Sequence, residues 1–360
     1  MGIIFNQRED LEMNNTITLK QAEDLIASVG KDVTVHIKGQ PGIGKSTLLQ
    51  TLSARFKTHI PVYIDCADLD LGDLAMPAMN HKQQTTAFYP NERFKLHEGK
   101  PVIIMLDEIT KANEPVKNML LPVMLERRLG AIHFHPDSIV YSTGNLTTDA
   151  VGDSMKAHAK NRLTNVEVRN PNDDEWLEWG MDNAIAPEIL AWVKQFPHCL
   201  ASYKDESQKE NMYIYNPKVQ QEAFVSPRSL AKASFIVSQR HTLGEMPTLV
   251  SLAGTIGESA ARDMSAYFSL ADALPTKEAI YKKPNDASVP NDPSARVILV
   301  MRELMTIKKE NVEAWLTYMQ RLPMELQALF AVNIMASERK SMFATNKVFT
   351  DWAVKHNQFF

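Results

Sequence analysis

Gly39-Gln40-Pro41-Gly42-Ile43-Gly44-Lys45-Ser46 keeps the spacing G-x-x-x-x-G-K-[ST], the signature of a phosphate-binding loop. Its flanks fit the same reading. Upstream, Val33, Val35 and Ile37 alternate with Thr34 and His36, a strand pattern. Downstream, Ser46-Thr47-Leu48-Leu49-Gln50-Thr51-Leu52 opens a helix, with Leu48, Leu49 and Leu52 spaced for one buried face. A strand, a glycine turn and a helix N-terminus aim several backbone N–H groups at one point, where an anion is favoured. Gly42 and Gly44 let the chain bend there without a Cβ clash. Lys45 is placed to reach the β- and γ-phosphates, and the Ser46 hydroxyl to hold Mg²⁺. Gly39, Gln40, Pro41, Gly42, Ile43, Gly44, Lys45, Ser46 and Thr47 are the candidate binding residues for a nucleoside triphosphate.

A second landmark is Pro101-Val102-Ile103-Ile104-Met105-Leu106-Asp107-Glu108. Its unbroken apolar run suits a parallel strand buried on both faces. It ends in two acids, at the strand end where doubly wound sheets bind ligands. Asp107 is the candidate to order the Mg²⁺ shell, and Glu108 to orient or deprotonate an attacking water. Ser138 to Asn145 reads as another buried strand, whose terminal Asn145 amide would orient the water or sense the γ-phosphate. Lys160-Asn161-Arg162-Leu163 precedes a strand at Thr164 to Val168 and is expected to offer a cation at the sheet's active edge. Ser226-Pro227-Arg228-Ser229 reads as an N-cap, a proline at the first helical position and a first turn. That would hold Arg228 at a helix N-terminus, suited to a phosphate.

The whole chain sets the bounds. Its 360 residues suggest about two or three domains. A hydrophobic content of 44% and a charged content of 23% are ordinary for a soluble globular protein. A net charge of −4 gives no sign of a bulk polyanion-binding surface. The two cysteines, Cys66 and Cys199, lack metal-ligand spacing and argue for a reducing compartment. With no apolar run of membrane-spanning length and no secretion signal, a cytoplasmic protein is expected.

Between the landmarks, Thr18 to Ile26 reads as a capped helix and Pro61 to Cys66 as a short strand. Residues 67–100 are too long for a plain crossover and should carry an inserted element. Phe88 and Tyr89 within it are read as locally packed aromatics, with a functional protrusion as the alternative. A helix is expected from Glu114 to Arg128, ended by Gly130, then an alternating strand from Ile132 to Pro136. His133 and His135 share one face there, but no third ligand lies near, so no metal site is expected. From Asn170 the pattern turns helical, with a polar loop at 203–222 and one helix from Gly254 to Phe268. Residues 275–293 have a Pro-rich linker composition. Helical spacing returns in 295–307, 312–321, 324–336 and 346–356, where Leu322, Leu326, Leu329, Phe330 and Ile334 form a broad apolar face expected to pack against neighbouring helices, the alternative being a docking surface for a partner or adjacent subunit.

Taken together these segments resemble the AAA+ ATPases, and among them the MoxR-type branch. Gly39 to Ser46 matches the Walker A loop, Val102 to Glu108 the Walker B stretch and Asn145 sensor 1. Arg162 in Asn-Arg-Leu matches the arginine finger, with Arg127 or Arg128 as the next candidates, and Arg228 in Ser-Pro-Arg matches sensor 2. The Gly72-Asp73-Leu74 turn and Leu125 to Gly130 also look like that branch. The resemblance covers roughly residues 17–270 and implies an α/β fold: an AAA+ P-loop αβα sandwich with a parallel sheet, then an all-α lid and C-terminal helices. The implied domains are a nucleotide-binding core at 1–169, a helical lid at 170–274, a Pro-rich linker at 275–293 and a helical region at 294–360. It also implies inserts in 67–100 and at a Gly130 to Asp137 hairpin. ATP and Mg²⁺ are the implied cofactors, and a hexameric ring of copies the implied assembly. A chaperone-like remodelling ATPase is implied, with a von Willebrand factor A domain protein as partner. The alternative is a nucleic-acid-directed AAA+ motor of clamp-loader or helicase type, although nothing in the net charge or the 67–100 insert favours nucleic acid.

Overall fold

The computed structural model describes residues 16–146, 161–219, 221–337 and 339–357. The chain divides into two units, residues 1–170 and 171–360. In the first, Thr16–Ile17 (β1) leads into helix Leu19–Val29 (α1). That helix starts where it does because Thr18 and Gln21 satisfy each other's backbone N–H groups in a capping box. Strand Val35–Lys38 (β2), the glycine loop and helix Thr47–Arg55 (α2) follow, then strand Ile60–Asp65 (β3). Later come helix Leu71–Leu74 (α3), strands Ala75–Asn80 (β4) and Thr85–Pro90 (β5), strand Val102–Asp107 (β6) and helix Glu114–Glu126 (α4). Arg128–Leu129 (β7), Ile132–His133 (β8), Ile139–Gly144 (β9) and Thr164–Val168 (β10) complete the described elements of this unit.

Six strands form a sheet in the order β1-β10-β2-β9-β6-β3, and every pair in it is parallel. All six residues of β6 are buried, as its apolar run requires. Alternation sends Ile103 and Met105 to one face, where Ile26, Leu48 and Leu52 of α1 and α2 cover them. Ile104 and Leu106 face the other way, against Val116, Leu120 and Val123 of α4. This is an αβα sandwich on a parallel sheet.

The 67–100 connection does carry an inserted element, a β4–β5 hairpin pairing Met76 with Tyr89 and Pro77 with Phe88. Packing of its aromatics is corrected by the structure: Phe88 is 48% and Tyr89 53% exposed. The hairpin is a two-stranded sheet of its own; among the described residues no third strand pairs with either of its edges. The Phe88 carbonyl accepts a hydrogen bond from the Ala131 N–H, which ties it to the small β7–β8 hairpin. The strand expected from Ile132 to Pro136 stops at His133, because the chain turns in so that Phe134 is buried and its N–H reaches the Arg127 carbonyl. Among the described residues no group of three or more His, Cys, Asp or Glu is placed to hold a metal ion.

The second unit is helical. Asn172 and Glu175 cap helix Asp173–Asp182 (α5), and helix Pro187–Gln195 (α6) follows. Ser226 and Ser229 likewise cap Pro227–Ser238 (α7). The single helix expected over Gly254 to Phe268 is two. After Arg240–Leu243 (α8), Glu245–Ile256 (α9) ends at Gly257, whose φ of +87° breaks the helix before Glu258–Asp272 (α10) begins. Residues 275–293 contain helix Lys277–Lys282 (α11), in which Ile280 is fully buried. Arg321 donates to the carbonyls of Pro284 and Ala287 (2.6 and 2.8 Å), and the Tyr318 hydroxyl to that of Ser288 (2.7 Å). Helices Pro293–Thr306 (α12), Val312–Met319 (α13), Met324–Ala336 (α14), Lys340–Ala344 (α15) and Lys347–Lys355 (α16) close the unit. Trp192, Ile256, Met264, Leu299, Trp315 and Phe330 belong to one continuous core. Among the described residues no helix is long and apolar enough to cross a membrane.

Candidate nucleotide site

Parallel register gathers the chemistry at one edge. Lys38 of β2 lies opposite Gly144 of β9, and Asp65 of β3 opposite Asp107 of β6. The glycine loop, Asp107, Glu108 and Asn145 therefore leave the sheet at the same C-terminal edge, where such sheets bind ligands. The loop is tight. Gly42 and Gly44 have φ of +78° and +101°. A Cβ on Gly39 would stand 2.4 Å from Ile43 Cδ1 and 3.0 Å from the Val168 carbonyl oxygen, so a larger residue there would have to shift Ile43.

Lys45 is 6% exposed; its Nζ donates to the carbonyls of Gly39 (2.7 Å) and Gln40 (3.0 Å) and to Asn145 Oδ1 (3.1 Å). The Asn145 Nδ2 in turn donates to Glu108 Oε1 at 3.4 Å. Lys45, Asn145 and Glu108 are thus one chain of polar contacts across the sheet edge. Ser46 occupies the N-cap position of α2 without capping it through its side chain, and Thr47 Oγ1 turns back to the Gly44 carbonyl (2.7 Å). Gln40 Oε1 accepts from Asn170 Nδ2 at 3.3 Å, while Pro41 is half-buried.

The two acids are held differently. Asp107 is 8% exposed; its Oδ1 accepts from the Thr143 hydroxyl, and its Oδ2 from the Tyr63 hydroxyl at 2.8 Å. Glu108 sits at φ 50°, ψ 38°, a left-handed conformation costing a non-glycine residue about 1 kcal/mol. Strain of this kind gathers at working positions. The Glu108 N–H donates to Thr143 Oγ1 (3.2 Å), and Lys111 pairs with Glu108 Oε2. Burial first, then the Asp107 carboxylate, pushes the Cys66 thiol and the Tyr141 hydroxyl upward in pKa, so both stay neutral beside it.

Tyr63, Thr143 and Lys111 are site residues that motif spacing does not single out. Thr143 stands inside the Ser-Thr-Gly-Asn run, and Lys111 is three residues from Glu108. Tyr63 becomes visible only through the β3–β6 register.

Arg162 is exposed and precedes β10, whose first residue, Thr164, pairs with Val35 at the start of β2. It therefore lies at the N-terminal edge of the sheet, away from its own glycine loop. This corrects the expectation of a cation at the active edge. Arg127 is committed to structure: its guanidinium donates to the carbonyls of Gly30 (3.0 Å), Lys31 (3.1 Å) and Met124 and to Thr34 Oγ1 (2.7 Å). Arg128 pairs with Glu126 at 2.6 Å. Arg228, in the second unit, is exposed in the first turn of α7 as its Ser-Pro setting requires.

The stretch from just before β2, through both acids, to just past the β7–β8 hairpin matches the AAA domain family, dynein-related subfamily, over residues 34–136. Residues 34–136 carry an AAA domain. With the six-stranded parallel sheet and its flanking helices, the first unit has the P-loop AAA fold, and a helical C-terminal region follows. No curated protein matches the chain. Similar solved structures include a candidate ATPase from Cytophaga hutchinsonii, 14% identical with a TM-score of 0.33, covering 86% of this chain and 79% of that one. Another is the RuvB Holliday junction branch migration motor of Thermotoga maritima, 13% identical with a TM-score of 0.36, covering 74% of each chain. At these scores neither likeness bears on the partner or substrate of the AAA domain described above.

Proposed function

We propose that this chain is a MoxR-type AAA+ ATPase that hydrolyses ATP and couples turnover to conformational change in a protein partner, in the cytoplasm. The observation that carries the reading is the Lys45–Asn145–Glu108 chain at the mouth of the glycine loop. It joins a phosphate-reaching cation, a sensing amide and a candidate base through direct contacts. The donor set fits ATP with Mg²⁺: a loop whose Gly42 and Gly44 hold positive φ, a buried lysine, and hard oxygen donors on Ser46 and Asp107. Ser46 and Asp107 would hold the metal, which would neutralise charge on the phosphates. Glu108, fixed by Asn145 and Lys111, would accept a proton from the attacking water, and Lys45 would draw charge onto the phosphate oxygens. Such catalysis is mostly positioning, so short motifs on separate strands suffice.

Binding and hydrolysis should separate by mutation. Lys45→Ala is expected to lose ATP binding, whereas Glu108→Gln keeps binding and loses turnover about 100-fold or more. ATP hydrolysis by Glu108→Gln at the wild-type rate would remove Glu108 from the mechanism.

The reading includes a homo-oligomeric, hexameric ring in which Arg162 serves the neighbouring copy's nucleotide. Its place at the sheet edge opposite its own loop supports action in trans, and fingers supplied this way contribute about 10³-fold or more in rate. Mixing Arg162→Ala with Lys45→Ala subunits should restore activity that neither has alone. Mixed rings that form and stay inactive would count against a shared site. Arg228 is assigned the sensor 2 role on the strength of its capped helix start, and a von Willebrand factor A domain protein is the expected partner. Stimulation of turnover by DNA, rather than by such a protein, would redirect the reading to a nucleic-acid motor.

A further inference from the structure

We propose that Tyr63 is a positioning residue for the metal-binding carboxylate of Asp107. The proposal rests on the ATPase reading and adds to it a side chain outside the recognised motifs. β6 lies between β9 and β3 in the sheet, and each neighbour sends one hydroxyl to the same carboxylate. Thr143 of β9 donates to Oδ1, and Tyr63 of β3 donates to Oδ2 at 2.8 Å. Asp107 is gripped from both flanks, one donor to each oxygen.

The chemistry of the donors matters. A lysine or arginine in either place would neutralise the carboxylate and compete with a cation for it. Two neutral hydroxyls fix its rotamer and leave its charge in place. Each carboxylate oxygen has about two lone-pair sites, so one hydroxyl on each still leaves a site for a metal or its water. Packing does not require a tyrosine here. Among the described residues β3 is an edge strand, and Tyr63 is 51% exposed, whereas Val62 and Ile64 beside it point into the core. What the ring achieves is reach, carrying a hydroxyl from the sheet edge to the end of the neighbouring strand.

The test uses Mn²⁺ as the probe, followed by its electron paramagnetic resonance signal, with the full-length protein and ATP. Tyr63→Phe keeps the ring and deletes the hydroxyl. The expected result is a rise of about 10-fold or more in the Mn²⁺ concentration for half-saturation, the size of losing one hydrogen bond to a charged group. ATP binding in EDTA should stay within about 2-fold of wild type, since no phosphate contact is touched. Tyr63→Ala should match Tyr63→Phe in both measurements. Equal Mn²⁺ half-saturation in wild type and Tyr63→Phe would overturn the proposal. So would a Tyr63→Ala variant that alone loses metal-free ATP binding, because the ring and not the hydroxyl would then be at work. A wild-type protein that binds ATP in EDTA but takes up no Mn²⁺ with it would instead remove the metal-dependent ATPase reading, and this proposal with it.

Discussion

Polar groups are buried in both units of this chain, and they are used in opposite ways. In the first unit, Lys45 and Asn145, one hundred residues apart in sequence, meet at one sheet edge and join Glu108 there. In the second, Glu303 is fully buried, accepts from the Tyr281 hydroxyl and pairs with its neighbour Arg302. Gln327 donates to the Leu322 carbonyl and accepts from Trp352 Nε1, each at 2.8 Å. The Tyr281–Glu303 and Trp352–Gln327 bonds each tie one helix to another, as separate pairs. The difference follows from geometry. Parallel strands all end at one edge, so residues just past each strand are brought together whatever their distance in sequence. Helices pack along their lengths and scatter their polar groups.

If the second unit is held by one shared core, removing part of it should have the largest effect of any change considered. Truncation after Asp292 deletes α12 to α16, and with them Ile298, Leu299, Met301, Trp315 and Phe330, all at most 1% exposed. Truncating even one such side chain costs about 2–5 kcal/mol, against a typical domain stability of about 5–15 kcal/mol. The shortened chain is expected to lose the native tryptophan emission of Trp192 and to aggregate. A soluble, monodisperse product with native emission would show that residues 294–360 form a separable domain and that the core is divided.

Smaller, but sharper for the comparison, is the pair Arg127 and Arg128. Arg127 ends α4 at φ 50° and spends its guanidinium on three carbonyls and a hydroxyl around the start of β2. Burial holds its pKa below the ordinary arginine value, so its charge is kept at a cost that those acceptors offset. Arg127→Ala should destabilise the first unit by about 2 kcal/mol or more, because several acceptors lose a charged donor at once. Arg128→Ala, which breaks one partly exposed pair, should change stability by about 0.5 kcal/mol or less. Chemical denaturation of the two variants measures both. A loss of turnover in Arg127→Ala with unchanged stability would return it to the arginine-finger candidates.

The legible parts of this protein were those where one residue type is demanded by local chemistry. Gly39, Lys45, Asp107 and Asn145 stand where motif spacing puts them, and the apolar run of β6 announced a strand buried on both faces. Capping chemistry was equally readable at Thr18 and Ser226. What depended on register was not. Arg162 lands at the far sheet edge because β10 runs parallel to β2, and Tyr63 reaches Asp107 only because β3 pairs with β6. Gly257 divides α9 from α10 through its positive φ, while the apolar spacing on either side reads as continuous. Phe88 and Tyr89 were misread because an aromatic pair in a short segment looks the same whether or not a third element covers it.

That last case gives a small expected effect, and it sets the β4–β5 hairpin apart from the rest of its unit. Met76, Met79, Phe88 and Tyr89 are 48–73% exposed and lie on both faces of the hairpin. Phe94, only four residues beyond the end of β5, is fully buried against the core of α4 and β6. Replacing Phe88 and Tyr89 together with serine should therefore cost about 1 kcal/mol, well below the cost of a core substitution, since about half of each ring already lies in solvent. The backbone bond from Ala131 to the Phe88 carbonyl is untouched by the substitution. Phe94→Ser, by contrast, should cost about 3–5 kcal/mol or more, from a cavity and an added hydroxyl in an apolar site. Thermal denaturation of both variants tests the pair. A double-serine hairpin that melts as far below wild type as Phe94→Ser would mean that the hairpin is packed in solution against a surface of this protein. The contrast between a covered core and an uncovered insert would then fail.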